Sequence, residues 1–166
     1  MQCHAYNRGP KIIGERQVYG TEDGGNTWVV TLTSERRLAH ADINRSGAGV
    51  ILCEDRSYQS RDFGRSWDST TTNIDPWLRQ LFSSVSGVAA LSATNAAVLF
   101  DESLYESTDG FVTLYSMQPP LSGVRDFAFA DSLSGIAVYP DTAAMTIDGG
   151  KTWAPRPGPG SAGILG

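Results

Sequence analysis

Four times the chain repeats, with variations, the pattern of Thr146-Ile147-Asp148-Gly149-Gly150-Lys151-Thr152-Trp153. The other copies are residues 21–28, 60–67 and 107–114. The shared pattern is Ser/Thr-x-Asp-x-Gly-x-Ser/Thr-Trp, and we call the copies box 1 to box 4 in chain order. Box 3 departs from the pattern twice, because Phe111 takes the Gly position and Leu114 takes the Trp position. Internal repeats of this kind indicate the fold more strongly than any single residue does.

The spacing of the boxes indicates the size of the repeated unit. Successive box aspartates are 39, 47 and 39 residues apart. A period near 40 is that of one four-stranded blade of a β-propeller. Apolar runs bounded by turn residues lie between the boxes, at 49–54, 96–100 and 135–139, and are typical of strands. The sequence therefore predicts an all-β fold, a small propeller of about four blades of antiparallel strands.

Each residue type in a box suits a tight hairpin turn. The Asp carboxylate and the Ser or Thr hydroxyl can bond to amides of the turn, and Gly permits a positive φ. The Trp supplies a large apolar surface to a neighbouring blade. These properties predict structural roles for Thr21, Asp23, Gly25, Trp28, Ser60, Asp62, Gly64, Trp67, Ser107, Asp109, Thr146, Asp148, Gly150 and Trp153.

The four boxes resemble the Asp-box, or bacterial neuraminidase repeat, of sialidases and of many non-enzymatic β-propellers. The resemblance covers nearly the whole chain and implies one Asp-box propeller domain over residues 1–166. It also implies that the boxes lie at the outer hairpins, between the third and fourth strands of each blade. It does not imply sialidase activity, because function depends on the site that a fold carries.

The intervals also bear on whether the ring closes. From Asp148 through the two termini to Asp23 is 41 residues, which lies within the range of the other intervals. This predicts a closed circle of four blades, with the C-terminal tail completing the first. The tail from about residue 155 is rich in Pro and Gly, and such a segment is not expected to form a ladder strand. An open arc, or an arc completed by a partner chain, is the alternative.

Composition restricts the classes of partner. Thirteen basic and eighteen acidic side chains give a net charge of −5, and the basic residues are scattered, which disfavours nucleic acid. No run of apolar residues is long enough to span a membrane, and the first residues do not read as a secretory signal. We expect a cytoplasmic or virion-associated protein. Cys53 lies in an apolar run and is expected to be a buried thiol, with a Cys3–Cys53 bridge as the alternative.

Residue types that carry chemistry are few and isolated. The box aspartates are interpreted as turn residues rather than metal ligands or catalytic groups, and His4 and His40 show no ligand spacing. A sialidase needs three convergent arginines, an acid/base carboxylate and a tyrosine nucleophile. The family's early Arg-Ile/Leu-Pro motif is absent here. We therefore predict no catalytic residues, no metal, no cofactor and no enzymatic activity.

The longest interval carries about eight extra residues. Within it, residues 75–82 are expected to form a short helix, since Asp75 suits the N-cap and Pro76 the first helical position. Trp77, Leu78, Leu81 and Phe82 would then share one face. That face either seals its own blade or docks a partner. We expect Leu78 and Phe82 to seal the blade, and Trp77 and Leu81 to dock a partner.

These observations favour a non-catalytic structural or protein-interaction module. Its partners would be proteins in a larger assembly, such as a virion or another multiprotein complex. One alternative is a glycan-binding module similar to sialidase-like lectins. Another is an assembly factor that resembles the Asp-box assembly proteins of photosystem II, which bind a partner protein.

Overall fold

The computed structural model describes residues 11–13, 16–53, 55–71, 84–119 and 122–157. Within these ranges the chain forms fifteen strands in four sheets, which we call blades 1 to 4 in chain order. Blade 1 contains β1 (Lys11–Ile13), β2 (Gln17–Gly20) and β3 (Val29–Thr33). Blade 2 contains β4 (Leu38–Ile43), β5 (Gly49–Cys53), β6 (Ser57–Ser60) and β7 (Asp68–Thr71). Blade 3 contains β8 (Val85–Ala90), β9 (Ala96–Phe100), β10 (Ser103–Ser107) and β11 (Tyr115–Ser116). Blade 4 contains β12 (Asp126–Phe129), β13 (Gly135–Val138), β14 (Thr142–Thr146) and β15 (Ala154–Pro157).

Every blade is a meander in which each strand pairs antiparallel with the next strand in the sequence. Short turns suffice for such connections, which explains the regular spacing of the turn residues. The predicted all-β fold of about four antiparallel blades is therefore confirmed. The described part of blade 1 has three strands. By the position of its box, these correspond to the second, third and fourth strands of the other blades.

The central strands of the middle blades explain the continuous apolar runs in the sequence. All five residues of β5 and all five of β9 are buried, although alternate side chains of a strand point to opposite faces. Both faces must then be covered, as in a sheet that is packed between two others. Blades 2 and 3 are in that position, since each contacts a blade on either side.

Among the described residues, three hydrophobic cores hold neighbouring blades together. Val18 and Leu32 of blade 1 pack with residues of blade 2 that include Ile51. Val50 and Leu52 on the opposite face of blade 2 pack against blade 3. The third core joins blade 3 to Phe127, Phe129 and Ala137 of blade 4 and contains other residues of both blades. The fold is thus stabilised mainly by the burial of apolar side chains between stacked sheets.

Polar groups also connect the blades. The Asn44 amide donates to the carbonyl oxygens of Ala90 and Leu91, at 3.2 Å each, and so joins blade 2 to blade 3. The buried Ser57 hydroxyl donates to the Gly110 carbonyl at 2.8 Å across the same interface. Hydrogen bonds of this kind fix the register of one blade on the next, because a buried unpaired group would cost stability.

Among the described residues, no core cluster joins blade 4 to blade 1. Val138 of blade 4 is 36% exposed and Val30 of blade 1 is 48% exposed, on the faces that a closed circle of four blades would bury. The described residues therefore form an open arc. The arithmetic of the intervals predicted the number of blades, but closure depends on the angle between them.

The C-terminal segment differs from expectation in one respect. Residues 154–157 form β15, although a segment rich in Pro is not expected to make a ladder strand. Pro155 pairs with Ala144 and Pro157 with Thr142. The two prolines alternate along an outermost strand, which bonds to one neighbour only, so their missing N–H groups can lie on the unpaired side. The rest of the tail lies outside the described residues.

Candidate interaction surfaces

The four boxes occupy equivalent turns. Boxes 2, 3 and 4 connect the third and fourth strands of their blades, and box 1 connects β2 to β3. The sheet order places these turns at the outer hairpin of each meander.

The first hydroxyl of each box organises its turn. In box 2, Ser60 Oγ accepts the amides of Asp62 and Gly64, at 3.3 and 2.7 Å, and donates to Asp62 Oδ1 at 2.8 Å. The same three bonds recur in the other boxes through Thr21, Ser107 and Thr146. These hydroxyls are buried, so each can serve the turn without competition from water.

The carboxylate closes the second half of the turn. Asp62 Oδ1 accepts the Ser66 amide at 3.0 Å, and Oδ2 accepts the Ser66 hydroxyl at 2.6 Å. Burial raises the pKa of Asp62, but the bonds from Ser66 outweigh it and the pKa falls to about 2. The corresponding threonine hydroxyls and amides lower the pKa of Asp23 and Asp148 to about 2. In box 3 burial raises the pKa of Asp109, yet bonds from Thr113 and Ser107 leave it lowered.

Two consecutive residues after each Asp have a positive φ. In box 4 these are Gly149 and Gly150, at 76° and 86°. In box 2 the first is Phe63, at 63°, and in box 3 the second is Phe111, at 72°. The sequence pattern predicted this freedom at one position of the box. The other left-handed position could not be predicted, because in box 2 it holds Phe63 and a large residue does not indicate a positive φ.

The tryptophan of a box connects it to the preceding blade. The indole N–H of Trp67 donates to the Gly64 carbonyl and also to the Thr31 hydroxyl of blade 1, at 3.1 and 3.3 Å. Trp153 donates to Gly150 and to the Met117 carbonyl that follows the last strand of blade 3. Trp28, in the first blade, donates to its own Gly25 at 3.0 Å. The tryptophans at the second and fourth turns therefore also link two blades.

One face of blade 4 is exposed where the equivalent faces of other blades are covered. We call the face that a blade turns toward the next blade in the chain its forward face. On blade 4 this face carries Ile136, Val138, Ala143 and Met145. Val138 is 36% exposed, whereas its counterparts Leu52 and Leu99 are 0% and 2% exposed. A position that is buried on the forward faces of the two middle blades is thus partly exposed on blade 4.

A cavity of about 250 Å³ lies where turns of three blades meet. The turns between the first and second strands of blades 2, 3 and 4 converge there, together with box 2. Its polar lining comprises Asn44, Ser46, Arg61, Ser92, Asp131 and Ser132. Amides of Leu133 and Ser134 lower the pKa of Asp131. The cavity combines a cation and an anion, but no aromatic side chain is among the described residues that line it.

The remaining candidate residues are separate from these surfaces. The predicted helix of residues 75–82, with Trp77 and Leu81, lies outside the described residues, as do Cys3 and His4. Cys53 is a buried free thiol whose pKa burial raises to about 12. Burial lowers the pKa of His40. In the described ranges no three metal-ligating side chains come together, and no helix there could cross a bilayer.

No protein-family model matches the chain, and no curated protein matches it. Solved structures do. YCF48 bound to D1 peptide matches with a TM-score of 0.55 and 22% identity, over 90% of this chain and 52% of that chain. PorZ, a surface component of the type-IX secretion system of Porphyromonas gingivalis, matches at 0.57 and 10%, over 94% and 20%. An ancestral GH74 enzyme matches at 0.50 and 13%, over 90% and 24%.

At these identities the likeness shows the fold alone. The chain spans about half the length of the YCF48 chain and a quarter or less of the other two. The neighbours include an enzyme as well as a protein bound to a peptide, so they do not decide between catalysis and binding. In fold, the chain is similar to β-propeller proteins.

Proposed function

We propose that this chain is a non-catalytic protein-interaction module, a subunit of a larger assembly such as a virion or another multiprotein complex. The observation that carries the proposal is the exposed forward face of blade 4. Its apolar residues occupy positions that a neighbouring blade buries in blades 2 and 3, so a partner protein could bury them in the same way. Covering them removes apolar surface from water, which is the main driving force of protein association.

The lowered pKa values of the four box aspartates argue against acid catalysis by these carboxylates. A general acid at neutral pH needs a raised pKa, whereas all four box aspartates have a lowered one. Their oxygen atoms are occupied by hydroxyls and amides of their own turns. A carboxylate held in this way stabilises the turn rather than exchanging protons with a substrate.

Two neighbours support the protein-binding half. YCF48 was solved with a peptide, and PorZ belongs to a secretion system, so related folds serve in protein complexes. An assembly factor that resembles those of photosystem II is a special case of the same proposal. Docking through Trp77 and Leu81 also remains part of it.

The test compares two substitutions in the native source. Val138→Glu puts a charge on the exposed face, and Val112→Glu is the control, since Val112 is 42% exposed in the turn of box 3. We expect the wild-type chain and the control to migrate in a complex, and Val138→Glu to migrate as an isolated chain. A wild-type chain that is isolated in the source extract would overturn the proposal, as would turnover of a glycoside that one Arg or Tyr substitution abolishes.

A second candidate function is glycan binding in the cavity. Its size and the presence of both Arg61 and Asp131 in its lining favour a small polar ligand. None of the described residues that line the cavity is aromatic, which places this candidate second because sugars commonly stack on aromatic rings. Titration calorimetry with sialylated and neutral oligosaccharides tests it. Binding that Arg61→Ala abolishes and Arg65→Ala leaves intact would establish the site, and no heat with any sugar would remove it.

A further inference from the structure

Each interface between blades joins two different faces. The forward face of one blade contacts the opposite face of the next, which we call its backward face. The backward face of blade 2 carries Ile51, Tyr58 and Trp67, and that of blade 4 carries Ala137, Ala144 and Trp153. An arc of such blades ends with one unused face of each kind.

Both unused faces are present on this chain. Blade 4 leaves its forward face exposed at Val138. On blade 1 the backward face carries Tyr19 and Trp28, which hold the same box positions as Tyr58 and Trp67 of blade 2. Tyr58 is 7% exposed in its interface, whereas Tyr19 is only half-buried. The two ends are therefore complementary in kind, as the members of each internal interface are.

A hydrogen-bonding position shows how the ends would join. In two internal interfaces the indole N–H of a box reaches the residue that lies eight positions after the Asp of the preceding box. These residues are Thr31 and Met117. The corresponding residue of blade 4 is Arg156, on β15. Trp28, whose described partner is in its own turn, has the indole N–H that would donate to the Arg156 carbonyl if blade 1 followed another blade 4; this carbonyl also accepts the Thr142 hydroxyl at 2.6 Å.

The share of a longer β-propeller chain that this chain matches indicates the size of the complete ring. The match with YCF48 uses 90% of this chain but 52% of the YCF48 chain, a β-propeller. The four blades therefore align with about half the length of that β-propeller chain. A second arc of the same length fits the remaining half.

We propose that a second copy of this chain packs on both end faces and closes a two-chain ring of eight blades. Blade 4 of each copy contacts blade 1 of the other, so one two-fold axis relates two identical interfaces. The inference rests on the proposed function and identifies one protein partner. The internal interfaces provide its chemistry, since the contact repeats a forward face on a backward face.

The first measurement is the mass of the purified chain by sedimentation equilibrium over a range of concentrations. We expect a dimer, twice 17.8 kDa, that dissociates on dilution. A monomer at every concentration would overturn the inference, whether the chain closes on itself or residues outside the described ranges cover the faces. A mass that grows without limit would also overturn it, because it would mean an open filament rather than a closed pair.

Two variants test which faces meet. Val138→Glu places a charge on the forward face of blade 4, and Tyr19→Glu places one on the backward face of blade 1. Each is expected to be monomeric with unchanged circular dichroism, while Val112→Glu stays dimeric. A dimer of Tyr19→Glu would show that two blade 4 faces meet instead, which contradicts the proposed arrangement.

Mixing the two variants gives the sharpest result. A mixed pair has one interface with both substitutions and one interface that is entirely wild-type. The mixture is therefore expected to regain dimers that neither variant forms alone. No dimer in the mixture would contradict the head-to-tail contact.

The outcome also separates this inference from the proposed function. If the pure chain is monomeric but Val138→Glu still releases it from a complex in the source, the second copy is wrong and the interaction module stands. If neither the pure chain nor the extract shows association, both are wrong.

Discussion

At the scale of single residues, the box is a self-contained hydrogen-bonding unit. A buried hydroxyl and a carboxylate together bind three backbone amides, as Ser60 and Asp62 do in box 2. Neither group needs a ligand or metal to be satisfied, which explains why the same residues recur at turns without chemistry. Loss of either group leaves turn amides without their acceptor.

Substitution of Asp62 tests this unit. Asp62→Ala should lower the free energy of unfolding by about 1–2 kcal/mol, toward the low end for lost hydrogen bonds because the turn is partly exposed. Asp68→Ala, at an exposed carboxylate on the following strand, is the control and should leave it nearly unchanged. Asp109→Ala should cost less than Asp62→Ala, since box 3 lacks the tryptophan. Urea unfolding measures all three, and equal stability of Asp62→Ala and wild type would remove the turn argument.

The lowered pKa values predict a loss of stability in acid. The pKa values of Asp23, Asp62 and Asp148 fall from the ordinary 3.8 of an aspartate to about 2 in the fold. A depressed pKa stabilises the fold above the unfolded value and ceases to do so as pH falls through the folded value. The melting temperature should therefore fall between about pH 4 and pH 2. In Asp62→Asn the fall should be shallower, and an identical slope would show that this carboxylate does not contribute.

The sequence predicted the residues of the box but not all of its backbone. Asp, Ser or Thr, Gly and Trp each have a chemical reason to be in the turn, and those reasons could be read from residue type. The other left-handed position of the turn could not be predicted from residue type, because Phe63 occupies it in box 2. Phe111 likewise takes a glycine conformation while its ring is 0% exposed in the core between blades 2 and 3. Burial of an aromatic ring offsets the backbone strain there.

At the scale of elements, the tryptophan converts a local turn into a contact between blades. Trp67 packs against the core of blades 1 and 2 and bonds to Thr31. The strands themselves were predicted from apolar runs, since a strand covered on both faces has no polar alternation. β15 was missed for a physical reason. The sequence shows two prolines but not that they lie on an outermost strand, where a missing donor is tolerated.

A pair of tryptophan substitutions separates the two roles of the indole. Trp67→Ala should lower the free energy of unfolding by about 2–4 kcal/mol, because it removes a half-buried ring and a bond to another blade. Trp28→Ala removes the same bond within its own turn but no described bond to a preceding blade. Its cost should be smaller in the isolated chain. Equal losses at dilutions where the chain is monomeric would mean that the contact between blades adds nothing.

At the scale of the whole molecule, the number of blades and their angle have different origins. The number follows from the count of boxes and could be read from the sequence. The angle between blades depends on how side chains of two faces interdigitate, as Leu52 and Leu99 do in their interfaces, and no interval reports it. The sequence therefore predicted four blades correctly, while the open arc and its exposed end face became visible only in the structure.

The central claim is that another protein covers the forward face of blade 4, and thiol labelling tests it most directly. Val138→Cys and Val112→Cys are each made with Cys3 replaced by Ser, while native Cys53 stays silent because it is buried and its pKa is raised to about 12. In the native extract we expect a bulky maleimide to label Cys at 112 rapidly and at 138 slowly, with equal rates after unfolding. Equal rates in the folded extract would contradict the account, because the face would then be open to solvent.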